Sequence, residues 1–231
     1  LDGSAFAGIE NLTGGALADS FQVRAGGNVS GVLDGSGGTD DLEVLGNAAD
    51  DAFVLDVAAS AIPGSVNQFV SIEQLAFDGA GQTTEDTLEI HATAGNDALV
   101  LGVGTIAVNA LNVGVANLEH YTFNGLDGAD TLEIDFGGGS PLPANGIEFD
   151  AGVGGNELTL TNGGAAWVSH EFAGLGSGRT EVGGPGIVFS GVPTIEDGLL
   201  VADRLVSYPG TADTIEILGD GADNDGVSRL D

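Results

Sequence analysis

Apolar and polar residues alternate in short runs along this chain, and one run keeps returning. Asp-Thr-Leu-Glu-Ile stands at Asp86–Ile90 and again at Asp130–Ile134, with close copies at Asp40-Asp-Leu-Glu-Val44 and Asp213-Thr-Ile-Glu-Ile217. Two apolar side chains flank a Glu, and an Asp stands two residues before the first of them. Alternation with period two over so few residues predicts a short strand with one face buried. Gly-rich approaches precede the runs: Leu33-Asp-Gly-Ser-Gly-Gly-Thr-Asp40, Phe77-Asp-Gly-Ala-Gly-Gln-Thr-Thr-Glu-Asp86 and Phe123-Asn-Gly-Leu-Asp-Gly-Ala-Asp130. A diverged copy runs from Phe149 to Leu160. Nowhere does the chain show helical periodicity, so the prediction is all-β.

The flanks repeat too. Ile72-Glu-Gln-Leu-Ala-Phe77 and Leu118-Glu-His-Tyr-Thr-Phe123 precede two copies, and Asp50-Asp-Ala-Phe-Val-Leu55 matches Asn96-Asp-Ala-Leu-Val-Leu101. The strand leucines Leu42, Leu88, Leu132 and Leu158 are 46, 44 and 26 residues apart. Read as repeats, these intervals predict a parallel β-helix, or β-solenoid, with a coil of about two dozen residues. The longer intervals then count as two coils. One solenoid over 1–231 is expected, with regular coils in 1–160 and looser, Gly/Pro-rich coils in 161–231. The alternative is a small second domain starting near residue 183.

Composition narrows the function. Thirty-five acidic residues face four arginines and no lysine, for a formal charge of −31. Such a surface repels nucleic-acid phosphates and anionic membranes, and neither is an expected partner. It attracts cations, above all Ca²⁺, whose preferred ligands are carboxylate and carbonyl oxygens. The 41 glycines follow no collagen-like period and imply many tight turns. Ala98 to Ala116 carries no charge over the length of a membrane span, yet its glycines and its Asn109 and Asn112 read as consecutive buried strands. Acidity, Gly-rich repeats and the lack of Cys together lean towards an extracellular or cell-surface location. A start at Leu-Asp-Gly, without Met, reads as a processed product or part of something longer.

Gly35-Ser-Gly-Gly-Thr-Asp40-Asp-Leu42-Glu and Gly125-Leu-Asp-Gly-Ala-Asp130-Thr-Leu132-Glu each keep four of the five defining positions of Gly-Gly-x-Gly-x-Asp-x-apolar-x. So does Gly14-Gly-Ala-Leu-Ala-Asp19-Ser-Phe21-Gln. These segments resemble the nonapeptides of RTX (haemolysin-type) exoproteins, and the chain as a whole resembles large bacterial adhesins built from β-solenoid repeats. The resemblance implies Ca²⁺ as the cofactor, at Asp40, Asp86 and Asp130, with Asp19 and Asp97 as weaker positions. The nonapeptides are not in tandem here, whereas RTX sites take ligands from turns stacked in register. An Asp at a tight turn has a second use, accepting hydrogen bonds from nearby backbone N–H groups. Near the C-terminus, Asp220, Asp223 and Asp225 form a further candidate Ca²⁺ cluster in Gly219–Gly226. Glu43, Glu89, Glu133 and Glu216 would form an acidic row if their strands stacked on one face. No motif joins His91, His120 or His170 to a nucleophile or a ligand pair, and no enzyme is expected. Trp167 with His170 and Glu171 is a candidate sugar-binding spot. The function these features predict is a structural, non-catalytic segment of a secreted or surface repeat protein. It would serve as an acidic spacer or as a filament subunit assembling end to end with further repeats or copies. The alternative is a Ca²⁺-dependent adhesion or polysaccharide-binding module.

Overall fold

Each copy of the recurring run that lies within the described residues is a strand with alternating burial. The structure is a computed structural model and describes residues 8–81 and 85–208, with the backbone of Ile217–Gly219 and Ser228–Leu230. It contains β-strands and no helix among those residues. In chain order they are β1 (Leu12–Thr13), β2 (Ser20–Arg24), β3 (Val29–Asp34), β4 (Asp41–Leu45), β5 (Ala52–Asp56), β6 (Val66–Val70), β7 (Gln74–Asp78), β8 (Thr87–His91), β9 (Ala98–Gly102), β10 (Thr105–Val108) and β11 (Leu111–Ala116). There follow β12 (His120–Asn124), β13 (Thr131–Asp135), β14 (Ile147–Asp150), β15 (Glu157–Thr161), β16 (Gly164–Gly174), β17 (Ser177–Val182), β18 (Gly186–Ser190), β19 (Thr194–Asp197), β20 (Leu200–Ser207), β21 (Ile217–Gly219) and β22 (Ser228–Leu230). In β4, β8 and β13 the paired apolar residues Leu42/Val44, Leu88/Ile90 and Leu132/Ile134 are buried, and the Glu between them is not.

The strands form three sheets. Sheet 1 is β1-β3-β6 and is parallel. Sheet 2 has eleven strands in the order β2-β4-β7-β11-β10-β9-β13-β15-β19-β22-β21. Sheet 3 has eight, in the order β20-β16-β17-β18-β14-β12-β8-β5. Long stretches are parallel: β2-β4-β7-β11 and β9-β13-β15-β19 in sheet 2, and β5-β8-β12-β14-β18 in sheet 3. Antiparallel meanders interrupt them. One is β9-β10-β11 and another β16-β17-β18. A third, shorter one runs from β5 through Ala61 and Ile62 to β6 by the bridges Asp56↔Ala61 and Ile62↔Val66, joining sheet 3 to sheet 1.

Each meander is inserted between two strands that pair in parallel on another sheet. β4 and β7 flank the first in the chain, β8 and β12 the second, β15 and β19 the third. The unit is thus strand, three-pass meander, strand. Copies of the recurring run change sheets: β4 lies in sheet 2, β8 in sheet 3 and β13 in sheet 2 again.

The expected single parallel β-helix with a coil of about two dozen residues is therefore corrected to mixed sheets. Stacked turns follow one another at 21 or 26 residues where the chain passes directly, as at Asp19–Asp40 and Asp130–Asn156. They follow at 33 to 35 residues where a meander intervenes. The wide spacing of the run is not a count of two coils. The charge-free stretch from Ala98 to Ala116 is the second meander; its inward residues Leu99, Leu101, Ile106, Val108, Val113 and Val115 are buried. No helix of the described residues is long and apolar enough to cross a membrane.

One hydrophobic cluster runs from Val23 to Leu199. Phe77, Phe123 and Phe149 are fully buried at the strand ends that lead into the Gly-rich turns, and Phe53 meets Phe77 with ring centroids 5.5 Å apart. Burying each such ring stabilises the fold by roughly 2–3 kcal/mol, which anchors the end of the strand before the corner.

Candidate functional site

At the corners, a strand enters a turn that must reverse direction while staying stacked on its neighbours. Asp40, Asp86 and Asp130 sit at these corners and are fully buried, with 0 % exposure. They do not come together. Each belongs to a separate ladder in which one residue's backbone N–H donates to the acidic or amide side chain in the next layer. In the first, Asp19 N–H donates to Asp40 Oδ1 at 2.8 Å and Asp40 N–H to Glu73 Oε2 at 2.8 Å. In the second, Asp51 N–H reaches Asp86 Oδ1 at 2.7 Å and Asp86 N–H reaches Glu119 Oε2 at 2.8 Å. In the third, Asp97 N–H reaches Asp130 Oδ1 and Asp130 N–H reaches Asn156 Oδ1, both at 2.8 Å. Asp19 and Asp97 are thus stacked on Asp40 and Asp130, although their motifs are far from tandem in sequence.

The second carboxylate oxygens are placed differently. Oδ2 of Asp40 and of Asp130 is buried without a hydrogen-bond partner. Each faces a glycine: a Cβ built on Gly35 would lie 2.6 Å from Asp40 Oδ2, and one on Gly125 would lie 2.6 Å from Asp130 Oδ2. A second glycine, two residues before the Asp, packs on the layer below, Gly38 against Leu17 and Ala18 and Gly128 against Gly95. Gly35, Gly38, Gly125 and Gly128 of the RTX-like pattern are therefore accounted for by close approach within and between layers.

In each ladder the carboxylate oxygen that faces the next layer is engaged by a backbone N–H. Ca²⁺ takes six to eight oxygens at about 2.3–2.6 Å, whereas here Oδ1 accepts an N–H. Among the described residues, no group of three or more His, Cys, Asp or Glu side chains could hold a metal ion. Asp220, Asp223 and Asp225 lie outside the described residues, as does Glu216.

Glu43, Glu89 and Glu133 do not form the expected row, because β4 and β13 lie in sheet 2 and β8 in sheet 3. Their register neighbours are uncharged: Gln22 and Ala76 for Glu43, Val54 and Thr122 for Glu89, Val100 and Thr159 for Glu133. Like charges opposite one another would be destabilising, and the alternation of sheets removes that contact.

Trp167, His170 and Glu171 do not make one surface spot, since His170 is buried. Its Nδ1 lies 2.9 Å from Thr180 Oγ1 and its Nε2 3.2 Å from Asp197 Oδ2. Arg204 Nε donates to the same Asp197 oxygen at 2.7 Å, and Leu199 N–H donates to Oδ1 at 3.0 Å. This network ties β16, β17, β19 and β20 together. Nothing in the local sequence announces it, since its members are up to 34 residues apart (170 to 204).

Burial raises the pKa of Asp86 and Asp130 above the ordinary aspartate 3.8; the N–H groups of Asp51 and Asp97 pull it back, and neighbouring carboxylates push it further up. Burial also works against ionised Asp197, but His170, Arg204 and the Leu199 N–H outweigh it and hold the pKa at about 2. Groups with raised pKa bind more protons folded than unfolded, so they lose stability as pH rises from 3.8 through their folded pKa. Asp197 does the reverse, and its contribution is lost as pH falls from 3.8 towards 2. The melting temperature is therefore expected to rise as pH is lowered through the raised folded pKa of Asp86 and Asp130 towards 3.8, and to fall again below 3.8. Thermal melts across pH check both limbs; a monotonic rise of stability with pH would contradict the first.

No family model, curated protein or solved structure matches this chain.

Proposed function

We propose that the chain is a structural, non-catalytic segment of a secreted or cell-surface repeat protein, an acidic β-solenoid spacer whose turns are enlarged by meanders. The observation that carries this reading is the use made of the corner acids: three ladders, each built on one buried Asp, join the backbone of one layer to side chains of the next. Residues placed in that way supply rigidity along the stack. Hydrogen bonding between strands is continuous along the long direction of a sheet, and eleven strands at about 4.8 Å give an extent of roughly 50 Å. Sheet 3 ends at β20, which pairs with β16 on one side and, among the described residues, with no strand on the other. An open edge suits the addition of a following repeat or copy. The high negative charge keeps such a face soluble and unattractive to polyanions.

The test is a thermal melt in millimolar Ca²⁺ and in EDTA, paired with small-angle scattering. The two melting temperatures are expected to agree within about 1 °C. A micromolar Ca²⁺ site in 1,000-fold excess would add about 4 kcal/mol, which is a shift of roughly 8 °C or more. Such a shift would replace the spacer by Ca²⁺-dependent adhesion. Scattering is expected to show an elongated particle, and negative-stain images end-to-end chains at high concentration if the open edges are used.

A further inference from the structure

The outer face of sheet 3 carries polar side chains that a spacer does not require. His91, Asn124 and Asp150 are register neighbours on β8, β12 and β14. Together with Leu126 and Gly152 they line a half-open cavity of about 190 Å³. That is smaller than the several hundred Å³ that hold drug-sized ligands, and it suits a single sugar ring.

The polar groups are held in place. Glu89 Oε1 lies 2.7 Å from His91 Nε2 and accepts from Asn124 Nδ2 at 2.7 Å. Asp150 Oδ1 accepts from Ser190 Oγ at 2.8 Å and from Gly152 N–H at 3.2 Å. In the tautomer that gives its Nε2 proton to Glu89, His91 has Nδ1 as an acceptor. Asn124 Oδ1 and Asp150 Oδ2 are acceptors as well, and none of the three has a hydrogen bond among the described residues.

Leu126 is the second observation. It occupies a left-handed turn position at φ 73°, where the other turns carry Ser36, Ala80 and Gly152. A leucine is strained there, and burial does not compensate, because 49 % of it stays exposed. Strain retained without a packing gain points to a use at the surface. Beside the cavity, the side chain offers an apolar surface next to three acceptors.

We infer that this cavity is a subsite for one ring of a neutral polysaccharide, with the C–H face of the ring on Leu126 and hydroxyl groups donating to Asp150, Asn124 and His91. Acidic sugars are excluded by Asp150 and by the overall charge of −31. The site is independent of the spacer role, since a rod can carry it or lack it. Calcium melts and scattering therefore leave it untouched.

Affinity electrophoresis of the full chain in gels containing dextran, mannan or galactan tests it, with alginate as the anionic control. Retardation is expected in at least one neutral polymer and not in alginate. Leu126→Ser and Asn124→Ala should each weaken it at least about tenfold, as expected for loss of one good contact. Leu126→Ser should melt no lower than the original chain, because Ser36 already holds the equivalent turn. A control change at the exposed Leu17, in another turn, should leave binding intact. The inference is overturned if no neutral polymer retards the chain or if Leu126→Ser binds as before. A lower melting temperature for Leu126→Ser would also overturn it, by showing the leucine to be structural.

Discussion

An Asp130→Ala variant is expected to lose about 2–4 kcal/mol of stability, while Asp130→Asn at neutral pH is expected to gain. Alanine removes the acceptor of the Asp97 N–H in a fully buried corner. A stranded buried donor costs about 1–3 kcal/mol, on top of a lost hydrogen bond to a charged group. Asparagine keeps the oxygen. It also replaces Oδ2, a buried carboxylate oxygen without a partner, by an N–H donor. The next layer already shows that arrangement: Asn156 accepts from Asp130 through Oδ1 and donates through Nδ2 to the carbonyls of Ala151 and Gly191, both at 2.9 Å. Around Asp130 the equivalent next-layer carbonyl, that of Ala151, faces the same glycine as Oδ2. A gain of about 1 kcal/mol corresponds to roughly 2–4 °C in a chain of this size. It should shrink as pH is lowered, because the raised pKa of Asp130 lets the native acid take up a proton instead. Urea midpoints of the three proteins at two pH values read out the whole pattern. A less stable Asp130→Asn at neutral pH would mean that the charge itself is required, as a cation site would require it.

What the sequence made legible, and what it hid, divides along the reach of each interaction. Alternation is local, and Leu42, Leu88 and Leu132 are inward, as period two requires. Strand direction is not written in alternation. A parallel crossover and an antiparallel return look alike residue by residue, so spacing alone reads the meanders as extra coils. Signals for them were nonetheless present. β9 and β10 are joined by the two residues Val103-Gly104, and β16 and β17 by Leu175-Gly176, with both glycines at positive φ. Two-residue loops with Gly are hairpin signatures. The match between Asp50–Leu55 and Asn96–Leu101 likewise marks the opening strands of two meanders, β5 and β9. The corner acids were legible as turn residues, but their partners were not, because a ladder joins residues 21 to 35 apart through a register set by those same meanders. The His170–Asp197–Arg204 network was hidden for the same reason.

Gly35→Ala is expected to be among the most damaging single changes available to the chain, costing about 3 kcal/mol or more. Its backbone is not in the left-handed region, so conformational freedom is not what requires glycine. The requirement is space. A Cβ there would run into the carbonyl oxygen of Ser71 in the next layer, and would lie 2.6 Å from Asp40 Oδ2 and 2.8 Å from Asp40 Cβ. Neither obstacle can yield cheaply. The carbonyl belongs to backbone held by the Gly35 N–H bond to Val70 O at 3.0 Å. The carboxylate is held by the Asp19 N–H. Forcing a methyl group into a packed site costs typically 1–3 kcal/mol, and here it must also loosen two layer-to-layer hydrogen bonds worth about 1 kcal/mol each. Gly37→Ala, in the same turn, is the matched control: its Cβ would meet only Ala16 Cα at 4.0 Å, an ordinary contact. That variant should stay within about 0.5 kcal/mol, as surface changes usually do. Chemical denaturation of the pair isolates close approach from flexibility, since both lose the same glycine entropy in the unfolded chain. Equal costs at the two positions would show that turn flexibility, and not the stacking of carboxylate and carbonyl on Gly35, sets the glycine requirement of these corners.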